Sequence, residues 1–83
     1  MFYWIMCRSL TYAQRISQAL ERAGITARVL RAPAELSPDG CGYSVKLPAR
    51  HLARALTILN TLRLPYTGVY VQGAGYGYEE VTL

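Results

Sequence analysis

Hydrophobic positions change their spacing along this chain, and each change marks an element. Tyr3 to Cys7 is a compact aromatic and aliphatic run of strand composition. Thr11-Tyr12-Ala13-Gln14 fits a capping box, in which the Thr11 hydroxyl accepts from the Gln14 amide and the Gln14 side chain returns to Thr11. Ile16, Ala19, Leu20 and Ala23 then recur at helical spacing, with Arg15, Gln18, Glu21 and Arg22 on the other side. Gly24 supplies a left-handed stop, so the pattern predicts a helix from about Tyr12 to Ala23.

Thr26 to Arg31, with Val29 and Leu30 as its apolar members, predicts a short edge strand. Two prolines and a glycine in Ala32 to Gly40 forbid regular pairing there, so this stretch is a loop. Tyr43, Val45 and Leu47 alternate with Ser44 and Lys46, the pattern of a half-buried strand. Pro48 ends that strand and opens a second helix, whose buried stripe is Leu52, Ala55, Leu56, Leu59 and Leu62 and which stops before Pro65. Gly68 to Gln72 is the fourth strand. Gly73 to Gly77 reads as a flexible tail reaching a short run at Tyr78 to Val81.

The order strand, helix, strand, strand, helix, strand predicts an α+β domain of the ferredoxin-like βαββαβ class: a four-stranded antiparallel sheet with two helices on one face. The 83 residues are enough for one domain with one modest core, expected over about residues 3–72 with 73–83 as tail. About half the residues are apolar, yet Arg, Gln, Glu and Pro interrupt them, so no stretch approaches the ~20 apolar residues of a membrane span. The apolar start has no basic leader and no small-residue cleavage pattern, so a cytoplasmic protein is expected. In that compartment Cys7 and Cys41 are free thiols or a transient redox pair before they are a structural staple.

The net charge of +4 is spread as single arginines over the whole chain. It favours an anionic partner without naming one, and by itself it is a weak argument for nucleic acid.

Cys41 is the main candidate for chemistry. It sits in Ser37-Pro38-Asp39-Gly40-Cys41-Gly42, where flanking glycines keep a thiol sterically open. In the expected topology the first and third strands lie side by side, so Cys41 arrives beside Cys7, Arg8 and Ser9 and near the amides that open the first helix at Thr11. A helix N-terminus and Arg8 both favour a thiolate, or the anion of a persulfide or selenide. No His or carboxylate is placed by sequence as a general base, because His51 falls at the opposite end of the sheet; a hydrolytic cysteine enzyme is therefore disfavoured. Cys7 alternates with Tyr3 and Ile5, which favours burial, with a resolving thiol as the alternative. There is no CxxC, so no metal site and no cofactor are expected.

The residues Ser9, Leu20-Glu21-Arg22-Ala23-Gly24-Ile25, Pro33-Ala34-Glu35-Leu36-Ser37, Cys41-Gly42 and Tyr66-Thr67-Gly68-Val69-Tyr70 together resemble the selenium/sulfur carrier-like family of small domains. The resemblance spans about residues 3–72, and its most specific part is the proline-containing loop leading to Cys41-Gly42. It implies a carrier rather than an enzyme, with Cys41 holding sulfur or selenium as a persulfide or selenopersulfide. Its partners would be a cysteine desulfurase-like donor and an acceptor enzyme. A competing expectation is an RNA-binding module that stacks bases on Tyr3, Trp4, Tyr43 and Tyr70, although the third strand lacks the basic-glycine-aromatic pattern of such domains. The uncovered sheet face is also a candidate homodimer interface.

Overall fold

The computed structural model describes residues 1–37, 42–72 and 77–81. Its elements are β1 (Phe2–Cys7), α1 (Leu10–Arg22), β2 (Arg28–Arg31), β3 (Tyr43–Pro48), a single 3₁₀ turn (Ala49–His51), α2 (Leu52–Leu62), β4 (Gly68–Gln72) and β5 (Tyr78–Glu80). The strands form one sheet in the order β2-β3-β1-β4-β5, and every neighbouring pair is antiparallel. The fold is thus α+β with β1 and β3 side by side, as the element order predicts, but the sheet has five strands rather than four. The tail supplies the extra one: Tyr78 to Glu80 pairs with Tyr70 to Gln72, and the Val81 amide donates to the Val69 carbonyl at 2.7 Å. Three residues between glycine-rich and terminal segments are too short a signal to read without the partner strand that satisfies their backbone.

Strand periodicity divides β1 between two faces. Ile5 and Cys7 point to the helices, where they join Val45, Leu47 and Val69 from the neighbouring strands. Ala13, Ile16 and Leu20 of α1, Ala55 and Leu59 of α2, and Ile25 and Ala27 close this core. Each large aliphatic side chain so removed from water contributes roughly 1.5–3 kcal/mol. Ser17 is the one polar α1 residue on that face, and its hydroxyl donates to the Ala27 carbonyl at 3.0 Å, which ties the helix to the segment entering β2.

One boundary of each helix departs from the expected one. The cap of α1 is Ser9, not Thr11: Ser9 is extended (φ −143°, ψ 161°) and its Oγ accepts from the Tyr12 amide at 3.3 Å. Because β1 runs to Cys7, only Arg8 and Ser9 remain to reverse the chain, so the helix begins two residues earlier and Thr11 lies exposed in its first turn. The other end follows expectation. Gly24 adopts φ 81°, its amide donates to Glu21, and the Ile25 amide reaches back to Leu20 at 2.9 Å.

In α2 the expected stripe breaks at Leu62, which is 56% exposed. Arg63 takes the left-handed conformation (φ 55°) and turns the chain so that Leu64, whose amide donates to Leu59, packs against the core in its place.

These caps generate a paired expectation. Ser9→Ala should destabilise the fold by about 1 kcal/mol in urea unfolding, while Thr11→Ala should change it by no more than a few tenths. A larger effect at Thr11 than at Ser9 would contradict the assigned cap.

Candidate functional site

The antiparallel register gathers three connections at one end of the sheet. Cys7 of β1 stands opposite Tyr43 of β3, which stands opposite Arg31 of β2. The Ala32 amide donates to the Gly42 carbonyl at 3.0 Å, extending the β2–β3 ladder by one step. On the other side of β1, the Thr67 amide donates to the Met6 carbonyl at 2.8 Å and brings the α2–β4 connection to the same rim. His51 lies at the far end of the sheet, where the neighbouring Ala49 amide donates to the Met1 carbonyl at 3.1 Å.

The base of the loop that carries Cys41 is pinched. One turn, with the Leu36 and Ser37 amides both donating to the Pro33 carbonyl, swings Ser37 back toward β3. There its Oγ accepts from the Gly42 amide at 3.1 Å. A Cβ on Gly42 would stand 2.9 Å from that Oγ and 3.2 Å from the Ala32 Cβ. Glycine is thus required by close packing at the loop base, a local reason that does not depend on any visiting molecule. Cys41 itself, with Pro38, Asp39 and Gly40, lies outside the described residues.

The other expected site residues separate by environment. Arg8 is exposed at the rim, Ser9 is committed to capping α1, and Thr11 is exposed one residue into the helix. Cys7 is 3% exposed, and its thiol faces the core with the Ile5 carbonyl 3.6 Å away. Burial pushes the Cys7 thiol up to about 11. It is therefore a neutral, packed side chain at neutral pH, which agrees with the core reading and disfavours the resolving-thiol one. Among the described residues no group of three His, Cys, Asp or Glu side chains is placed to hold a metal.

Sequence reasoning missed a cleft at this rim. Arg8 and Tyr12, on the β1–α1 side, face Pro65, Tyr66 and Thr67, and together they line a recess of about 480 Å³. The available signal was topological, since the β1–α1 and α2–β4 connections must share one end of the sheet, but no motif marks the five residues.

The four rings considered for base stacking do not share a surface. Tyr3 and Tyr43 pack toward the helices. Trp4 and Tyr70 lie on the opposite face, where Trp4 is only 7% exposed. Tyr78 meets Trp4 edge to face at 5.8 Å, and the Lys46 ammonium sits 4.4 Å from the centre of the Phe2 ring and 5.1 Å from that of Trp4. Desolvation, and secondarily the Glu35 carboxylate, raise the Tyr78 phenol. This face is partly covered by its own chain.

No helix among the described residues is long and apolar enough to cross a membrane. Compared with known protein families, the chain belongs to the one described as "Putative Se/S carrier protein-like", whose model matches residues 2–71. The match begins with β1 and stops within β4, so β5 lies beyond it. No curated protein and no solved structure matches the chain.

The raised Cys7 pKa has a direct consequence. In the Cys41→Ser protein, iodoacetamide at about pH 8 should leave Cys7 unmodified, with alkylation appearing only as the pH approaches 11 or on unfolding in urea, as read by intact mass. Because the folded value lies above the ordinary 9.0, the stability this group contributes is complete below about pH 9 and is lost as the pH rises toward 11. Rapid alkylation of the folded protein near neutrality would contradict the assignment.

Proposed function

We propose that this member of the Se/S carrier-like family is a sulfur or selenium carrier of the ferredoxin-like class, with Cys41 as its covalent attachment point. The observation that carries the reading is the family match over residues 2–71, which includes the loop with Cys41 and Gly42. The register of β1 and β3 supports it, because it fixes Gly42, the residue bonded to Cys41, at the same sheet end as Arg8 and the start of α1.

In loading, the Cys41 thiolate attacks the terminal sulfur of a donor enzyme's persulfide. A new S–S bond forms on Cys41, the donor's S–S bond breaks, and the donor cysteine leaves as a thiolate. The sulfane sulfur moves without net oxidation or reduction, so neither a cofactor nor an external oxidant enters the step. Delivery is the same exchange in reverse, with an acceptor thiolate as nucleophile. Selenium would follow the same course as a selenopersulfide.

Two cysteines in one small domain raise the question of self-resolution. A neighbouring thiolate would attack the inner sulfur of a loaded Cys41, form the protein's own disulfide and expel the cargo as hydrosulfide or hydroselenide. Cys7, buried and protonated, is a poor nucleophile for that reaction. A persulfide on Cys41 is in this way protected from the chain that carries it.

A cysteine desulfurase supplied with sulfur-labelled cysteine should transfer label to this protein in a non-reducing gel. Cys41→Ser should abolish the transfer and Cys7→Ala should preserve it. Intact mass of protein loaded in this way should show an added ~32 Da for sulfur, or ~80 Da when selenium is supplied, removable with dithiothreitol. Label that persists in Cys41→Ser would end the proposal.

A further inference from the structure

We propose that the cleft between the start of α1 and the α2–β4 connection is a binding site for a small organic phosphate, a molecule that joins one phosphate group to one planar ring. The recess, lined by Arg8, Tyr12, Pro65, Tyr66 and Thr67, has a volume of about 480 Å³. That is the size of a small-molecule site and more than a bare inorganic anion fills.

The lining divides into two kinds of surface. Arg8 brings a guanidinium whose donors match phosphate oxygens, and Thr67, Tyr12 and Tyr66 bring hydroxyls. Pro65 and the two tyrosine rings bring flat apolar surface suited to a ring. The charge has one sign. Among the described residues no lining residue is acidic, the first turn of α1 carries no acidic side chain, and Arg8 has no ion-pair partner. A phosphate would supply a counter-charge that none of the described residues gives Arg8.

The walls are held in place before any ligand arrives, which lowers the ordering entropy of binding. Tyr66 is half-buried and packs against the core. The Thr67 backbone is fixed to β1 through the Met6 carbonyl at 2.8 Å. The Arg15 guanidinium lies 6.0 Å from the centre of the Tyr12 ring and adds positive charge behind it. Arg8 is shared with the rim that serves Cys41, but none of the lining groups is a thiol, so phosphate binding is read without sulfur transfer.

The test is an NMR titration of isotopically labelled protein with three probes: adenosine monophosphate, adenosine and inorganic phosphate. The monophosphate should give saturable shifts at residues 8–12 and 65–67, with adenosine and phosphate each at least about tenfold weaker, since each keeps only one of the two contacts. Arg8→Ala should weaken the monophosphate about tenfold and Arg8→Lys less so, both at an unchanged urea midpoint because Arg8 is exposed. Three results would overturn the proposal: no saturable shift up to about 10 mM, an affinity indifferent to Arg8→Ala, or inorganic phosphate binding as tightly as the nucleotide.

Discussion

Everything in this structure depends on the register of β1. It is the middle strand of five, and both of its faces are occupied: Ile5 and Cys7 by the helical core, Trp4 and Met6 by the chain's own cover on the other side. Because side chains alternate with a period of two, a one-residue slip would exchange these sets and set Trp4 against α1 and α2. The strands on either side inherit this constraint. Val45 and Leu47 of β3 and Val69 of β4 face the helices only because they stand in the rows of Ile5 and Tyr3.

The same register composes the rim. Fixing Cys7 opposite Tyr43 sets Gly42 just above the end of β1, and pairing Met6 with Gly68 brings Thr67 to the other side. Three connections with no sequence relation to one another therefore share a neighbourhood, and each has its own local logic. Ser9 turns a strand into a helix in two residues, Ser37 clamps Gly42, and Arg63 ends α2 in a left-handed turn that sends Leu64 inward. The opposite end of the sheet carries the 3₁₀ turn and His51, away from Gly42 and the cleft.

The second face changes how the molecule meets its surroundings. A four-stranded sheet with helices on one side would leave Trp4 wet and available for stacking or dimerisation. Here Tyr78 of β5 and Lys46 reduce that exposure. The family match ends before β5, so this cover lies outside the matched residues. The open cleft lies at the rim instead, with the exposed Arg8 among its lining residues.

Local pattern was enough for much of the fold. The alternation of Tyr43, Val45 and Leu47, the helical recurrence of Ile16 and Leu20, the stop at Gly24 and the strand from Gly68 to Gln72 are short-range signals, and the structure has each of them. The burial of Cys7 was legible for the same reason, since it shares a period with Ile5. The family was legible from the Pro-containing loop and Cys41-Gly42, and the family match bears it out. Tertiary structure decided what depends on distant partners. Ser9 displaced Thr11 as the cap because β1 runs to Cys7, Leu64 displaced Leu62 because of a left-handed turn, and β5 exists because β4 offers it a free edge and Trp4 receives its Tyr78 ring. The cleft belongs to the same class: its residues come from two segments more than fifty positions apart, and spacing along a chain carries no record of which loops a sheet will bring together.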